Sequence, residues 1–336
     1  MSSPAKQAFI VARDADAAIG KLRGSVVAIG NFDGVHRGHR AVIATAIARA
    51  KEFGCPAAAL TLEPHPRSFF KPEEKLFRLT DERTKLRLFA ATGLDGAIVL
   101  AFDAALAGTP AEDFVADILV KRLAVRGVAL GFDFHFGRKR GGSPEFLAAE
   151  GKRLGFSVDI VPKLEDRGRP ISSGVVRTAL TEGKVKEAAE LLGYPWFVTG
   201  EVVHGDKRGR ELGFPTANIA LDPACGLKHG IYAVRAGHNG KRYDGVASFG
   251  RRPMFDNGPP LLEVFLFGFD GDLYGATLDV AFITFLRPEL KLDSVDSLKR
   301  QMNEDARRAR EELARAGDAF PPIAVVPAER SESRNP

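Results

Sequence analysis

Residues 25–39 read SVVAIGNFDGVHRGH, and this stretch decides the fold of the first half of the chain. The apolar run at 25–29 has the length of a buried strand, and a helical pattern follows near 38–53. The segment 30–39, which joins them, has three glycines and two histidines, His36 and His39. The stretch therefore predicts a strand, a glycine-rich turn and a helix, which is how a βαβ unit begins.

The rest of the first half repeats this alternation. Four further strand-like apolar runs lie at residues 57–62, 96–102, 127–132 and 156–161. Helical patterns lie near residues 81–92, 111–123 and 144–154. Thr80 and Ser143 are the predicted caps of two of these helices. Strands rich in Val, Ile and Ala that alternate with helices predict an α/β fold with a buried parallel sheet.

Four polar motifs lie at or shortly after the ends of these strands. They are GNFDGVHRGH (30–39), EPHPR (63–67), DFHFGRKRGG (133–142) and ISSGVVR (171–177). Ligands bind a parallel sheet outside the carboxyl ends of its strands. We therefore expect the four motifs to converge on one crevice.

The first motif has the chemistry of a phosphate site. Its glycines let the backbone approach a ligand, and the N-terminus of the next helix offers free N–H groups and a positive dipole end. His36 and His39, at i and i+3, point the same way and could donate hydrogen bonds in phosphoryl or nucleotidyl transfer. Two other interpretations stay open: a metal site, for which a third ligand is not evident, and an exposed polar loop.

Other side chains of these motifs give weaker signals. Arg177 could supply a fixed charge for a triphosphate, or it could cap a helix or form a surface ion pair. Asp133 could bind an adenosine or flavin group, although Asp is also common in turns. His65 stands between two prolines in a rigid loop and has no evident role. Three phenylalanines could stack on a ring or, more commonly, fill the core: Phe32, Phe134 and Phe136.

The second half has a different pattern from about Phe197. Its strand-like runs lie at residues 197–203, 217–221, 231–237, 241–250, 261–269 and 276–286. Short strands without helices between them predict an antiparallel barrel or sandwich. A charged helix is predicted at 294–315, and residues 178–195 are predicted to form a helical connector.

The sequence GDKRGRELGFPTANI (205–219) is the second dense group of functional residue types. Thr216 and Asn218, two residues apart on an extended chain, project to the same side and could hold Mg²⁺ through oxygen ligands. Pro215 fixes the turn before them. The alternative is a basic hairpin turn. The residues that suit a tight loop near phosphate are Gly205, Lys207, Gly209 and Arg210.

Glu263 is the candidate base of this second site. In LLEVFLFGF (261–269) it is a carboxylate in a strand that is apolar on both faces, which is costly unless the group is paired or faces a cavity. A ligand cavity at a barrel mouth would raise its pKa by desolvation and improve it as a general base toward a substrate hydroxyl. The alternative is a buried salt bridge.

The bulk properties bound the class of protein. A chain of 336 residues is long enough for two domains, predicted at 1–183 and 184–316, with a disordered tail at 317–336. A net charge of +5 suits anionic partners such as nucleotides. Cys55 and Cys225 form no CxxC unit, and neither a signal peptide nor a membrane-length apolar run is evident. We therefore expect a cytoplasmic protein with no membrane partner.

The motifs carry a resemblance. GNFDGVHRGH resembles the HxGH signature of the adenylyltransferase superfamily, and its NFDG extension resembles the bacterial bifunctional riboflavin kinase/FAD synthetase family. EPHPR, GFDFHFGRKRGG and ISSGVVR resemble three further motifs of that family's N-terminal domain, although Gly174 stands where Thr is usual. GRELGFPTAN closely resembles the riboflavin kinase motif. The C-terminal half departs from the family pattern at three positions: Met254, Gly268 and Leu292.

The resemblance implies a fold and two reactions. A Rossmann-like, HxGH-type nucleotidyltransferase domain would transfer AMP from ATP to FMN, giving FAD and pyrophosphate. A C-terminal antiparallel β-barrel riboflavin kinase domain with a terminal helix would phosphorylate riboflavin with ATP, giving FMN. Both reactions would need Mg²⁺. Homo-oligomer formation and transfer of FAD to apo-flavoproteins stay open.

The resemblance also implies roles for single residues. Glu263 would be the kinase base for the ribityl hydroxyl, and His36 and His39 would be catalytic in adenylyl transfer. Further residues implied to contact nucleotide or flavin are Gly30, Asn31, Phe32, Asp33, Gly34, His65, Asp133, Ser172, Ser173, Arg177 and Arg287.

Two alternative functions stay open. Other HxGH adenylyltransferases, for pantetheine phosphate or nicotinamide mononucleotide, would lack the domain that carries GFPTAN. A basic nucleic-acid-binding protein with a degenerate catalytic domain would gather its basic residues in one block, whereas here they are spread along the chain. The sequence therefore favours small-molecule substrates over nucleic acid.

Overall fold

The structure is a computed structural model that describes residues 8–14, 17–166, 168–204, 213–250, 261–324 and 326. The chain divides into two compact units. The first consists of Met1–Leu76, Thr80–Ile171 and Pro322–Pro336, and the second of Phe77–Leu79 and Ser172–Pro321. The domain bounds expected from the sequence, including the tail, stay predictions.

The first unit is built on a parallel sheet, as its strand and helix alternation predicts. Its six strands lie in the order β1-β4-β3-β2-β5-β6, and each neighbouring pair is parallel. The strands are β1 (Ile10–Arg13), β2 (Val26–Ile29), β3 (Ala57–Glu63), β4 (Gly96–Ala101), β5 (Gly127–Gly131) and β6 (Ser157–Val161). The sequence does not predict β1, a four-residue strand at the sheet edge. Beyond the sheet, β7 (Glu165–Asp166) and β8 (Arg169–Pro170) form a short antiparallel pair.

Helices connect these strands. They are α1 (Ile19–Leu22), α2 (Arg37–Phe53), α3 (Pro66–Phe70), α4 (Glu82–Ala90), α5 (Ala104–Gly108), α6 (Ala111–Asp113) and α7 (Pro144–Leu154), and a π-helical segment, Phe114–Arg122, continues α6. Ser143 caps α7, as predicted, by accepting a hydrogen bond from the Phe146 N–H at 3.2 Å. The predicted cap at Thr80 is wrong, because Asp81 caps α4 by accepting from the Thr84 N–H at 2.7 Å.

The second unit is a closed antiparallel barrel, which decides between the barrel and the sandwich. Its strand order is β10-β13-β12-β11-β14-β9. The strands are β9 (Phe197–Val203), β10 (Ala217–Ala220), β11 (Gly230–His238), β12 (Lys241–Gly250), β13 (Leu261–Leu266) and β14 (Thr277–Arg287). The side chains that fill the core alternate along the strands, for instance Leu262 and Val264 on β13.

Within the described ranges, three helices complete the second unit. They are α8 (Ser173–Thr181), α9 (Val185–Leu192) and α10 (Val295–Arg315). The connector predicted at 178–195 therefore contains the end of α8 and all of α9. Helix α10 packs against β11, β12 and β14. The guanidinium of Arg235 on β11 donates to the carbonyl of Gly317, which follows α10, at 2.6 Å. No helix in the described ranges combines the length and apolar character needed to cross a membrane.

Candidate active sites

The GNFDGVHRGH loop joins β2 to α2 in an unusual backbone conformation. Phe32 and Val35 have positive φ angles of 51° and 37°, and Gly34 lies between them at 84°. Positive φ is costly for residues with a Cβ, above all for a β-branched one, and such strain concentrates at functional sites. The ring of Phe32 is buried and meets the edge of Phe89 on α4, with centroids 5.2 Å apart. The strained loop is therefore anchored in the core, and this ring has the core role favoured for it.

Hydrogen bonds to Thr80 hold the middle of the loop. The carboxylate of Asp33 is buried and accepts from the Thr80 N–H at 3.1 Å. The N–H of Gly34 donates to the Thr80 hydroxyl at 3.1 Å. This explains why Thr80 does not cap α4, since its hydroxyl holds the loop.

His36 and His39 lie on the first turn of α2 and stack on each other. Their ring centroids are 3.6 Å apart and the rings are tilted by 15°. His36 is the N-cap residue: its Nδ1 accepts a hydrogen bond from the His39 N–H at 3.2 Å. A neutral imidazole that accepts at Nδ1 carries its proton on Nε2. The cap thus leaves His36 with an N–H donor at Nε2.

The environment of His39 favours a neutral ring. Burial, the neighbouring His36 and the charge of Lys85 together hold the pKa of His39 well below its usual value of 6.5. Its Nδ1 is buried with no hydrogen-bond partner in the described part of the chain, and the same is true of the Oδ1 of Asn31. Buried polar atoms are nearly always hydrogen-bonded, so two open ones within the GNFDGVHRGH segment indicate a place for a ligand.

A buried ion pair beside the loop is not predicted from the sequence. The Nζ of Lys85 on α4 lies 2.6 Å from the Oε1 of Glu63 at the end of β3, and the lysine side chain is only 1% exposed. The same Nζ donates to the hydroxyl of Thr61 at 3.3 Å, and that hydroxyl donates to the carbonyl of Asn31 at 3.3 Å. The sequence signal that could have revealed the pair is that Lys85 lies four residues before the apolar Phe89, and therefore on the buried face of α4.

Two more motifs leave the same edge of the sheet, because β3, β2 and β5 are parallel neighbours. His65 caps α3 by accepting from the Arg67 N–H at 3.1 Å. Asp133 is exposed in the turn after β5. Beyond it, Phe136 is buried, and its ring stacks on the half-buried Phe134 with centroids 6.1 Å apart. These two rings also belong to the core, as the sequence favours.

The fourth motif begins at the end of the first unit and continues into the second. Ser172 caps α8 by accepting from the Val175 N–H at 3.4 Å, and Ser173 is the first residue of the helix. The Nε of Arg177 donates to the carbonyl of Phe77 at 2.6 Å. The share of this motif in a common crevice stays a prediction.

In the second unit, three polar side chains form a row across neighbouring strands. The strand register pairs Glu263 on β13 with Asn218 on β10 and with Ser248 on β12. This face is the opposite of the one that carries the core side chains of Leu262 and Val264. The predicted carboxylate and amide therefore lie side by side on regular strands.

The amide of Asn218 has the properties of a metal ligand. The residue is 6% exposed, and its Oδ1 is buried without a hydrogen-bond partner in the described ranges. Thr216, two residues earlier, is half-buried. Two neutral oxygens of this kind, with nucleotide phosphates and water, make a donor set that suits Mg²⁺. No cluster of three or more His, Cys, Asp or Glu side chains in those ranges could hold a metal ion.

The remaining predicted residues of the second site have separate outcomes. Pro215 is exposed just before β10. Arg287 makes a bidentate ion pair with Asp305 of α10, at 2.8 and 2.6 Å, so its guanidinium holds the helix to the barrel. Four predicted residues lie outside the described ranges: Gly205, Lys207, Gly209 and Arg210.

Comparisons with family models find a different family in each half of the chain. The model of the FAD synthetase family matches residues 19–175, and the model of the riboflavin kinase family matches residues 192–313. The curated relatives include bifunctional riboflavin kinase/FMN adenylyltransferases from Pseudomonas fluorescens and Bacillus subtilis. The first is 41% identical and the alignment covers 86% of this chain and 93% of the relative; the second is 36% identical, with 85% and 91% covered.

A solved structure supports the fold. It is named as a macrolide-efflux protein from Streptococcus pneumoniae and matches with a TM-score of 0.80 at 31% identity, covering 90% of this chain and 99% of that one. The sequence motifs, the two folds and the curated relatives lead to one conclusion. The chain belongs to the family of bifunctional riboflavin kinase/FMN adenylyltransferases, the enzymes that make FAD from riboflavin.

Proposed function

We propose that the two units carry out successive reactions at two separate sites. The second unit phosphorylates riboflavin with ATP to give FMN and ADP, and the first unit transfers AMP from a second ATP to FMN to give FAD and pyrophosphate. The observation that supports this most is that the chain has both family domains, with open buried polar atoms at Asn31 and His39 in the first and at Asn218 in the second.

In riboflavin phosphorylation, Glu263 is the proposed base. It accepts the proton of the ribityl hydroxyl as the oxygen attacks the γ-phosphorus of ATP, and ADP leaves. Asn218 and Thr216 would hold Mg²⁺, which neutralises phosphate charge when bound. The register of Asn218 against Glu263 and the open Oδ1 of Asn218 support this assignment. Gly205, Lys207, Gly209, Arg210, Pro215 and Arg287 remain proposed contacts to nucleotide or flavin.

In adenylyl transfer, the loop and the start of α2 are the proposed ATP site. A phosphate oxygen of FMN attacks the α-phosphorus of ATP, and the bond to pyrophosphate breaks. The Nε2–H of His36 and the free N–H groups of the helix N-terminus donate to the phosphates as negative charge develops. A neutral His39 acts in the same way, as a donor and not as a nucleophile.

The remaining proposed ligand contacts of this site come from the other motifs. Arg177 binds the triphosphate through its fixed charge, with Ser172 and Ser173 as hydroxyl donors. Asp133 and His65 contact the adenosine or flavin. The backbone of Gly30, Asn31, Phe32, Asp33 and Gly34 lines the phosphates.

The cellular setting is also a proposal. Substrates of this kind favour the cytoplasm, where riboflavin, FMN and ATP are small-molecule partners. Weak homo-oligomers and direct transfer of FAD to apo-flavoproteins are compatible with this setting.

A chromatographic assay tests the proposed function. Incubation with riboflavin, MgATP and pyrophosphatase should give FMN first and FAD later, while omission of Mg²⁺ should stop both. Absence of both flavin nucleotides would contradict the proposal. AMP transfer to another acceptor would instead indicate a different HxGH enzyme, and salt-sensitive DNA binding without ATP turnover would indicate a nucleic-acid-binding protein.

A further inference from the structure

The buried pair of Lys85 and Glu63 has no part in the chemistry proposed above. Their side chains are 1% and 9% exposed, and the charged atoms are 2.6 Å apart. A buried ion pair is weak evidence for stability, because an apolar pair of the same volume often stabilises a core equally well. The position of the pair in the first unit is therefore the better guide to its role.

The network extends from the ion pair to the backbone of the GNFDG loop. The Nζ of Lys85 donates to the hydroxyl of Thr61, and that hydroxyl donates to the carbonyl of Asn31, each at 3.3 Å. Thr61 is fully buried, so water does not substitute for either bond. Asn31 is also the residue whose side-chain oxygen is buried and open. The lysine thus acts, through Thr61, on a loop residue whose side-chain oxygen is buried and open.

The same network reaches the second motif of the sheet edge. Glu63 is the last residue of β3, and Pro64 and His65 follow it directly. Its carbonyl accepts from the Phe102 N–H at 2.8 Å, which fixes the backbone at this point. The ammonium group of Lys85 therefore connects the GNFDG loop, through Thr61, with the end of β3, where the PHP segment begins.

Helix α4, which carries Lys85, supports the loop along its length. Thr80, one residue before the cap of α4, holds Asp33 and Gly34, and Phe89 packs against Phe32. Lys85 lies between these two contacts and reaches the loop through Thr61. The loop, which has three positive φ angles, is therefore held from one side along residues 31–34.

We propose that Lys85 is a positioning residue of the adenylyl-transfer site: through Thr61 and Glu63, it holds the GNFDG loop and the start of the PHP segment where they bind the phosphates of ATP. This inference rests on the proposed function of the first unit. Donors of this kind are effective only when they are fixed before the reaction, and small misplacements cost catalysis more than they cost folding.

A pair of substitutions at Thr61 separates positioning from packing. Thr61→Val keeps the shape and removes the hydroxyl, whereas Thr61→Ser keeps the hydroxyl and removes a methyl group. Positioning predicts that Val lowers kcat for FAD formation by about tenfold or more, while Ser stays within about threefold of the wild type. A packing role predicts the opposite order.

The ion pair itself is tested without leaving a buried charge. Lys85→Met with Glu63→Gln removes both charges and should also lower kcat for FAD formation by about tenfold or more. The control is Arg49→Met with Asp159→Asn, which removes a more exposed helix-to-strand ion pair, of 2.6 Å, from the same unit. This control should make FAD at the wild-type rate.

The thermal unfolding temperature of each variant serves as the folding control for the first unit, and FMN formation serves as the control for the second unit. The proposal is overturned if Thr61→Val or the Lys85–Glu63 variant makes FAD within twofold of the wild-type rate, if Ser falls as far as Val, or if both activities decline together. Failure of the wild type and of the Arg49–Asp159 control to make FAD would instead contradict the proposed function of the first unit.

Discussion

The loop between β2 and α2 and the polar row on the barrel hold their functional groups in different ways. In the loop, the side chain of Asp33 and one ring nitrogen of His36 hold the loop and the helix start themselves. In the row, Asn218 and Glu263 lie on hydrogen-bonded strands that need no help from those side chains. The loop is also supported by Thr80 and by Lys85 through Thr61, whereas the positions of Asn218 and Glu263 follow from the register of their strands.

The largest effect is expected at Glu263. Glu263→Gln removes the proposed base and leaves the strand intact, so kcat for FMN formation should fall by about a thousandfold. Conversion of added FMN to FAD should be unchanged. Flavin chromatography with riboflavin or FMN as substrate measures both. Loss of both reactions would mean that the row and the loop are not separate sites.

The next largest effect is expected at His36. His36→Ala removes both the Nε2–H donor and the cap of α2, and FAD formation should fall by about a hundredfold. His36→Asn is the matched control for the cap, since Asn is a good N-cap residue but does not place a donor at the same position. An Asn variant with wild-type FAD synthesis would show that His36 serves only to cap the helix.

Asn218 tests whether the row binds a metal. Asn218→Ala should raise the Mg²⁺ concentration for half-maximal FMN formation by about tenfold or more. Asn218→Asp should raise this concentration much less, because the aspartate keeps an oxygen ligand at the same position. Ala220→Ser, at the exposed end of the same strand, is the control. Equal Mg²⁺ dependence in Asn218→Ala and in the wild type would remove this residue from the metal site.

His39 gives the first unit a pH dependence. Because burial, the neighbouring His36 and the charge of Lys85 lower its pKa below 6.5, the unfolded chain binds the proton more readily than the folded one. Its contribution to stability is fully present above pH 6.5 and is lost as the pH falls from there toward the folded-state pKa. We expect His39→Gln to flatten the decline in unfolding temperature between pH 7 and pH 5. An unchanged slope would argue against a neutral His39.

The smallest effect is expected at Gly174, where the family resemblance implies Thr. A Cβ at this position would lie 3.7 Å from its nearest neighbour, the Oγ of Ser172, which is an ordinary contact distance. Gly174→Thr should lower the KM for ATP in FAD formation by about threefold, the value of one modest hydrogen bond. Gly174→Ala, which gains helix propensity without a hydroxyl, should leave that KM unchanged.

The sequence predicts the architecture of both units well because hydrophobic periodicity carries that information. Apolar runs such as 25–29 and 57–62 form neighbouring parallel strands, and the runs of the second half close into the barrel. The strand Ile10–Arg13 is missed because it is short and half-buried at the sheet edge. Thr80 is misassigned because Asp81, beside it, is an equally good cap by residue type.

The support of the first site could not be predicted from local patterns. The contacts of Thr80 with Asp33 and of Lys85 with Thr61 join residues more than twenty positions apart. Such pairings depend on how α4 packs against the sheet, and a lysine on an apolar helix face gives only a weak signal of it. The row of Asn218 and Glu263 likewise depends on strand register, which the sequence leaves open.

Mixing the two single-site variants tests the central claim of two independent sites most directly. Glu263→Gln alone and His36→Ala alone should each make little FAD from riboflavin and MgATP. In an equimolar mixture, His36→Ala makes FMN and releases it, and Glu263→Gln converts that FMN to FAD. The mixture should therefore make FAD at close to the rate of the slower of these two reactions. A mixture that makes no more FAD than either variant alone would contradict the account.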